Sequence, residues 1–281
     1  MKLYDLPLCI IDVETTGASF AYGDRVVEFG IVRLERGEVR IAHSQLFNPG
    51  RPMSRGAAAV TGLEDHMLVG QPTFAEAWPM LRPMVAGGVI VGHNVGFDIG
   101  FLDGECRRMG ETFAGEVNGG SDLGGVIDTV RLARKQFGRG GNGLAKLAAR
   151  LEIVIDTAHR ALADCHTTAK VLENLLHPHG GWQLTLAEAV ALQGGTVKRK
   201  AEPRQRMIIP DDVAETLVSG RPVQITYLDT TMAKSQRTVT PIVVRRINGH
   251  LTLISHCHAR NERRNFKLDR ILAASAVEVV V

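Results

Sequence analysis

The sequence predicts an α/β protein, a mixed sheet with helices on its faces, followed by a small β-rich domain. Short apolar runs bounded by polar turns (Leu8 to Val13, Val89 to Val91, Val126 to Ile127) read as buried strands. Between and after them, apolar residues recur with helical spacing. From Pro222 onward β-branched residues alternate with polar ones, the period of a half-buried strand.

Taken in order, Leu8 to Val13 runs into an acidic, Thr/Gly-rich turn. Arg25 to Leu34 and Val39 to Phe47 flank Glu35-Arg36-Gly37-Glu38, a β-hairpin signal. Thr73 to Met84, after Pro72, has helical spacing, and Val89-Ile90-Val91 is the next buried strand. A helix is predicted over Phe97 to Met109. Val126-Ile127 leads into another over Thr129 to Gln136, and Leu144 to Leu151 repeats the pattern. The last helix of this domain runs from about Ala161 to Leu176 and stops at Pro178. Thr185-Leu186-Ala187-Glu188 fits a capping box for a short helix that Gly194-Gly195 ends. Thr196 to Arg206 is polar and basic, with Lys198-Arg199-Lys200 and Pro203, and reads as a linker. A helix around Asp212 to Val218 precedes strands at Val223 to Leu228, Arg237 to Val244, Leu251 to His256 and Val277 to Val281. The expected domains are residues 1–178, a helical segment with a basic linker over 179–205, and residues 206–281.

A chain of 281 residues, 44% hydrophobic and 22% charged, has the composition of a globular protein with a real core. Its apolar runs fall well short of the roughly 20 residues that span a bilayer. The N-terminus lacks the pattern of a signal peptide, so the expected location is cytoplasmic. The four cysteines (Cys9, Cys106, Cys165, Cys257) are scattered and read as reduced, buried small hydrophobes. The net charge of +3 is unevenly spread: residues 196–281 carry 15 basic and 8 acidic side chains, while residues 1–195 carry 18 and 22. A basic tail beside a slightly acidic body suits a polyanionic partner, and equally a solvated basic surface.

Asp12 and Glu14 stand at i and i+2 at the end of a buried strand, so their carboxylates share one face. Two carboxylates so close repel unless a cation lies between them, and hard oxygen ligands suit Mg²⁺ or Mn²⁺. Taken alone, the pair is equally an acidic strand end facing solvent. Asp98 adds a third carboxylate, after Gly92-His93-Asn94-Val95-Gly96-Phe97, where the second buried strand meets a helix. His159 and Asp164 flank the start of the last helix; along a continuous helix they would point about 140° apart. This favours His159 in the entry loop, with Asp164 fixed on the face shared by Thr168, Val171 and Leu175. A carboxylate on that sheet-facing side needs a partner, and a metal would serve.

Asp12-Val13-Glu14-Thr15-Thr16-Gly17, Gly92 to Asp98, and His159-Arg160-Ala161-Leu162-Ala163-Asp164 resemble, in order and spacing, the three motifs of the DEDDh exonucleases, the family of the epsilon proofreading subunit of bacterial DNA polymerase. The similarity runs over roughly residues 5–177, and Ile127-Asp128-Thr129 with Leu144 to Leu147 fits the pattern between motifs. The resemblance implies a ribonuclease-H-like fold and a 3′→5′ exonuclease releasing nucleoside 5′-monophosphates from DNA or RNA. It implies two divalent cations, Mg²⁺ or Mn²⁺, about 4 Å apart. Asp12 would bridge both, Glu14 and Asp164 complete one site, and Asp98 helps hold the other. His159 would be the general base, its pKa range suiting proton transfer near neutral pH. Thr15, Thr16, His93, Asn94 and Phe97 become candidates to line the terminal-nucleotide pocket; His93 and Phe97 are equally packing residues.

In the tail, Ile225-Thr226-Tyr227, Arg237-Thr238-Val239-Thr240-Pro241 and Arg264 to Ile271 look like the WYL domain, a small Sm/SH3-like β-barrel of bacterial regulators and some nucleic-acid enzymes. The match covers about residues 206–281, and implies a protein encoded by a bacterium, phage or plasmid. Leu251-Thr252-Leu253 stands where that family has Trp-Tyr-Leu. By resemblance, Arg237, Arg264 and Arg270 bind nucleic acid or another anion, for which guanidinium groups are suited. The competing reading pairs Arg264 and Arg270 with Asp269 or Glu262 in the barrel.

The leading expectation is a nuclease whose second domain grips the strand or gates activity. A ligand- or nucleic-acid-sensing regulator on an inactive nuclease scaffold is the alternative from another class. A polymerase-associated proofreading subunit is the alternative within the enzyme class.

Overall fold

The apolar run that opens the chain forms strand β1 (Leu8–Thr15), and a sheet grows from both of its edges. In the computed structural model, residues 1–18, 20, 23–113, 125–155, 160–197, 213, 216–217, 219–228, 233–247 and 250–277 are described. They fall into two compact units, the first comprising residues 1–20 and 24–201 and the second built on residues 202–281.

On one side of β1 lie β2 (Val26–Glu35) and β3 (Glu38–Leu46), both antiparallel. Their two-residue connection has positive φ at Arg36 and Gly37, the conformation of a type I′ hairpin turn. On the other side β4 (Val89–Gly92) and β5 (Val126–Asp128) run parallel, giving the order β3-β2-β1-β4-β5. The mixed sheet is thus as expected.

Ser54 caps α1 (Arg55–Thr61), and α2 (Asp65–Leu68) follows it; neither was expected. Their residues are mostly small or exposed, without a helical apolar stripe; of their large apolar side chains Leu68 is buried, together with Leu63 between the helices, against Val27. Helix α3 (Phe74–Val85) starts at a Thr73/Glu76 capping box, and α4 (Gly96–Arg108) follows β4. Both pack on the face of the sheet that holds Cys9, Ile11, Val13, Phe29 and Ile31, with Phe74 stacked on Trp78 at 5.3 Å. The opposite face, with Leu8, Ile10, Val32 and Val91, is covered by α5 (Thr129–Phe137), α6 (Leu144–Arg150) and α7 (Ala161–Leu176). Strand alternation therefore puts Asp12 and Glu14 on the α7 side.

The capping-box helix α8 (Leu186–Leu192) also belongs to this unit, with Ala189 in its core. After it, buried Gln193 acts as a surrogate strand for the edge of β5: its Oε1 accepts the Asp128 N–H (2.8 Å) and its Nε2 donates to the Val126 carbonyl (2.9 Å). Val197 is buried in the core as well, so the ordered body extends past Pro178 into the segment read as linker; residues 198–212 lie outside the described residues.

The second unit is a five-stranded antiparallel sheet in the order β10-β6-β7-β8-β9, with β6 (Val223–Leu228), β7 (Lys234–Ile247), β8 (His250–Cys257), β9 (Glu262–Lys267) and β10 (Ile271–Ala276). Among the described residues no ladder joins β9 to β10, so the barrel expectation is met only as a sheet. Val213 and Leu217, from the helix expected at Asp212 to Val218, pack on its core, and most of that helix lies outside the described residues. The last described strand is β10; of the strand expected at Val277 to Val281, residues 278–281 lie outside the described residues. Ile-Leu-Ala-Ala-Ser-Ala has little β propensity of its own, and pairing with β6 holds it extended. All four cysteines are free and buried.

Candidate active site

At the end of β1 the ladder sets Asp12 opposite Gly30 and Glu14 opposite Glu28, so all of these positions share one face. The first turn of α7 carries Asp164, whose N–H closes the helix on the Arg160 carbonyl (3.0 Å). One carboxylate oxygen each from Asp12, Glu14 and Asp164 lies within 4.8 Å of the others. Asp98, in the first turn of α4, is buried and accepts the Val13 N–H through Oδ1 (3.0 Å), which fixes it to β1 between Asp12 and Glu14. Four of the sequence-predicted residues thus meet. His159 lies outside the described residues.

Such crowding has an electrostatic signature. Burial, then the charges of Asp98, Glu14, Asp164 and Glu28, hold the Asp12 carboxyl well above the usual carboxylate range. Burial, then Asp164 and Glu28, pushes Glu14 up to about 7, while Arg160 pulls the other way. Asp98 is raised as well, chiefly by burial, although the Val13 N–H favours its charged form. Carboxylates held this unfavourably are a site short of positive charge, and an all-oxygen donor set fits a hard divalent cation. Asp12, Glu14 and Asp164 would hold it, with Asp98 adjacent.

These carboxylates open into a cleft of about 540 Å³, lined also by His93, Asn94, Phe97, Gly141, Gly143, Leu144, Ala145, Lys146 and Ile155. His93, Asn94 and Phe97 thus line the same cleft as the carboxylates. The His93 Nδ1 is hydrogen-bonded to Thr129 Oγ1 (2.8 Å), and burial pushes its pKa down to about 4, leaving the ring neutral. Asn94 has φ of 69°, and its N–H donates to Asp128 Oδ1 (3.1 Å). The Phe97 ring lies 4.8 Å from Phe101. Thr15 and Thr16 are a correction. Both are buried, the Thr15 hydroxyl donates to the Gly17 carbonyl (2.6 Å), and Thr16 Oγ1 donates to Asp24 (3.2 Å) while accepting the Arg25 N–H (3.0 Å). Their hydroxyls build the turn after β1 and do not line the cleft.

Sequence reasoning missed Lys146, the one basic side chain lining the cleft among the described residues. It also missed the supporting residues Glu28, Arg160 and Gln193, and the part Asp128 plays in fixing Asn94. Glu28 had a readable signal: a lone charge in the otherwise apolar run Val26-Val27-Glu28-Phe29, where a buried carboxylate needs partners.

In the second unit, Arg237 pairs across the ladder with Ile225, Arg264 with Ser255, and Arg270 sits in the turn before β10. Arg264 is exposed and lies 3.5 Å from exposed Glu262, a contact worth little in water. Leu251, Thr252 and Leu253 are buried on β8, so this segment serves the core of the sheet.

The model of the RNase T exonuclease family matches residues 9–172, and that of the WYL domain matches residues 209–276. Over 172 residues the chain is 32% identical to the PolC-type DNA polymerase III of Staphylococcus aureus; the alignment takes in 60% of this chain and 11% of that polymerase. Exonuclease X, solved in complex with 5′-overhanging duplex DNA, superposes with a TM-score of 0.51 at 25% identity, over 66% of this chain and 99% of that one. The nuclease domain of 3′hExo, a DEDDh family member bound to rAMP, gives a TM-score of 0.52 at 17% identity over 64% and 96%, and shares the fold. Among the described residues, no helix is long and apolar enough to cross a membrane.

Proposed function

We propose, for a chain that belongs to the RNase T exonuclease family, that it removes nucleotides from the 3′ ends of DNA or RNA strands and releases nucleoside 5′-monophosphates. The observation that carries this reading is the convergence of Asp12, Glu14, Asp98 and Asp164 on one cleft, at the positions of the family's motifs. Divalent cations, Mg²⁺ or Mn²⁺, held there would offset the carboxylates' charge and polarise the scissile phosphate. Asp12, Glu14 and Asp164 would hold one and Asp98 would contribute to a second. Phe97 offers a ring face for the terminal base, and Asn94 and neutral His93 shape the pocket around it. Lys146 attracts the strand's phosphates into an otherwise acidic cleft. His159, on its motif position, accepts the proton of the attacking water.

The basic residues of the second unit, within a segment of net charge +7 (15 − 8), support nucleic-acid binding there, by Arg237, Arg264 and Arg270. A second reading, a proofreading partner of a polymerase, draws on the identity with the PolC-type enzyme; co-purification with a polymerase would favour it.

The test uses single-stranded DNA and RNA labelled at either end, with Mg²⁺ or Mn²⁺. A 3′ label should appear at once as mononucleotide, and a 5′ label as a shrinking ladder. Asp12→Ala should abolish release while keeping the fold. Turnover by Asp12→Ala at the wild-type rate refutes the site. A wild type that binds strands but releases nothing supports a regulator.

A further inference from the structure

Glu28 is the least exposed carboxylate in the neighbourhood of the site, at 1% relative exposure, and its oxygens are committed to protein donors. Oε1 accepts the Ser44 hydroxyl (2.7 Å) from β3 and the Arg160 Nη2 (3.1 Å). Oε2 accepts the Arg160 Nε (3.1 Å) and the backbone N–H of Ala161 (3.3 Å), one of the orphan donors at the start of α7. With its lone pairs so occupied, Glu28 is outside the group of carboxylates whose oxygens can share an ion.

The next position on the same face, Gly30, lies opposite Asp12 on one side and Ser44 on the other. A Cβ there would stand 2.6 Å from the Ala161 carbonyl oxygen and the Leu162 nitrogen. The backbone of α7 therefore rests directly on β2 beside Asp12. Glu28 pins it from one side through two consecutive residues, and Asp164 follows within the same turn. A helix seated and pinned in this way carries its carboxylate to a fixed place beside Asp12 and Glu14. Without the pin, the entry to α7 can lift from the sheet and the ligand set widens.

We propose that Glu28 is a positioning residue, which acts through Arg160 and the Ala161 N–H to hold Asp164 at cation-binding distance from Asp12 and Glu14. The proposal rests on the metal-dependent reading above and adds a supporting carboxylate to the site. Partners of this kind tune metal affinity by about 10- to 100-fold in known sites.

The experiment measures Mn²⁺ binding to the full chain, by calorimetry and by electron paramagnetic resonance, for wild type, Glu28→Gln, Arg160→Gln and the double variant, with circular dichroism as a check of folding. Glu28→Gln and Arg160→Gln should each weaken Mn²⁺ binding about tenfold. Because the two act along one route, the double variant should be no weaker than the worse single. In nucleotide release, the variants should need more Mn²⁺ while the KM for the strand stays unchanged. Folded Glu28→Gln with wild-type Mn²⁺ affinity overturns the proposal, as do losses that multiply to about a hundredfold in the double variant. If Glu28→Gln does not fold, Arg160→Gln carries the measurement, and unchanged affinity there is equally fatal. Ion binding is read without substrate, so a wild type that binds Mn²⁺ yet releases no nucleotide refutes the exonuclease reading alone. A wild type that binds no Mn²⁺ overturns both.

Discussion

Replacing Glu14 by glutamine should make the metal-free protein more stable and destroy its activity. Glu14 is mostly buried, and its carboxyl is pushed up to about 7 from an ordinary value of 4.5, by burial and then by Asp164 and Glu28. A shift of this size corresponds to about 3 kcal/mol against the ionised form. The sign follows from proton binding: with a folded pKa above the unfolded one, the folded state binds more protons between pH 4.5 and about 7. Relative stability is thus full below pH 4.5 and is lost as pH rises through 7. At pH 8 the amide escapes that loss but must bury an uncharged polar group, which costs about 1 kcal/mol when it is partly satisfied. The net gain is about 2 kcal/mol, a rise in Tm of roughly 4 to 8 °C for a unit of this size. At pH 4 the gain vanishes. Saturating Mn²⁺ should reverse the order, since a ligand at a hundred times its Kd stabilises the wild type by about 2.7 kcal/mol and the variant by less. Scanning calorimetry at pH 4 and pH 8, in chelator and in Mn²⁺, checks all four corners. A Glu14→Gln variant that melts below wild type at pH 8 in chelator would refute the picture of an acidic cluster awaiting a cation.

Gly30→Ala should push α7 off β2, with a loss of about 1 to 3 kcal/mol in thermal melts and weaker Mn²⁺ binding; an unshifted melt would mean that the helix has room to move. Gln193→Ala strips the edge of β5 of its surrogate partner and leaves buried Asp128 N–H and Val126 C=O groups unpaired, so urea denaturation should show a loss of about 1 to 3 kcal/mol. Ending the chain at residue 201, past buried Val197, should weaken strand binding and reduce its salt slope by about 0.7 for each phosphate that the second unit neutralises. An unchanged slope would assign the second unit to a small ligand or a protein partner.

Most strands, most helices and the acidic residues of the site were legible in the sequence because each is announced locally. A continuous apolar run identifies β1 and helical apolar spacing α3 and α7, Thr185 announces its helix through a capping box, and Asp12 with Glu14 shares a face by strand geometry alone. Elements without such a signal were missed. The helix α1 has small residues in place of an apolar stripe, β9 is a polar edge strand, and β10 is extended by its partner rather than by its own composition.

Only the tertiary structure decided what surrounds the carboxylates. Arg160 and Glu28 stand 132 residues apart in the chain, and Gln193 and Asp128 stand 65 apart, so neither pairing leaves a local pattern to read. The Thr16 hydroxyl, which motif reasoning aimed at substrate, is turned inward by Asp24 and the Arg25 N–H. By itself the sequence determined which side chains are candidates for the chemistry, since identity and spacing are one-dimensional facts. Their pKa values, their seat on β2 and their shared cleft depend on burial and on the neighbours that strand register brings together. Those are properties of the packed chain.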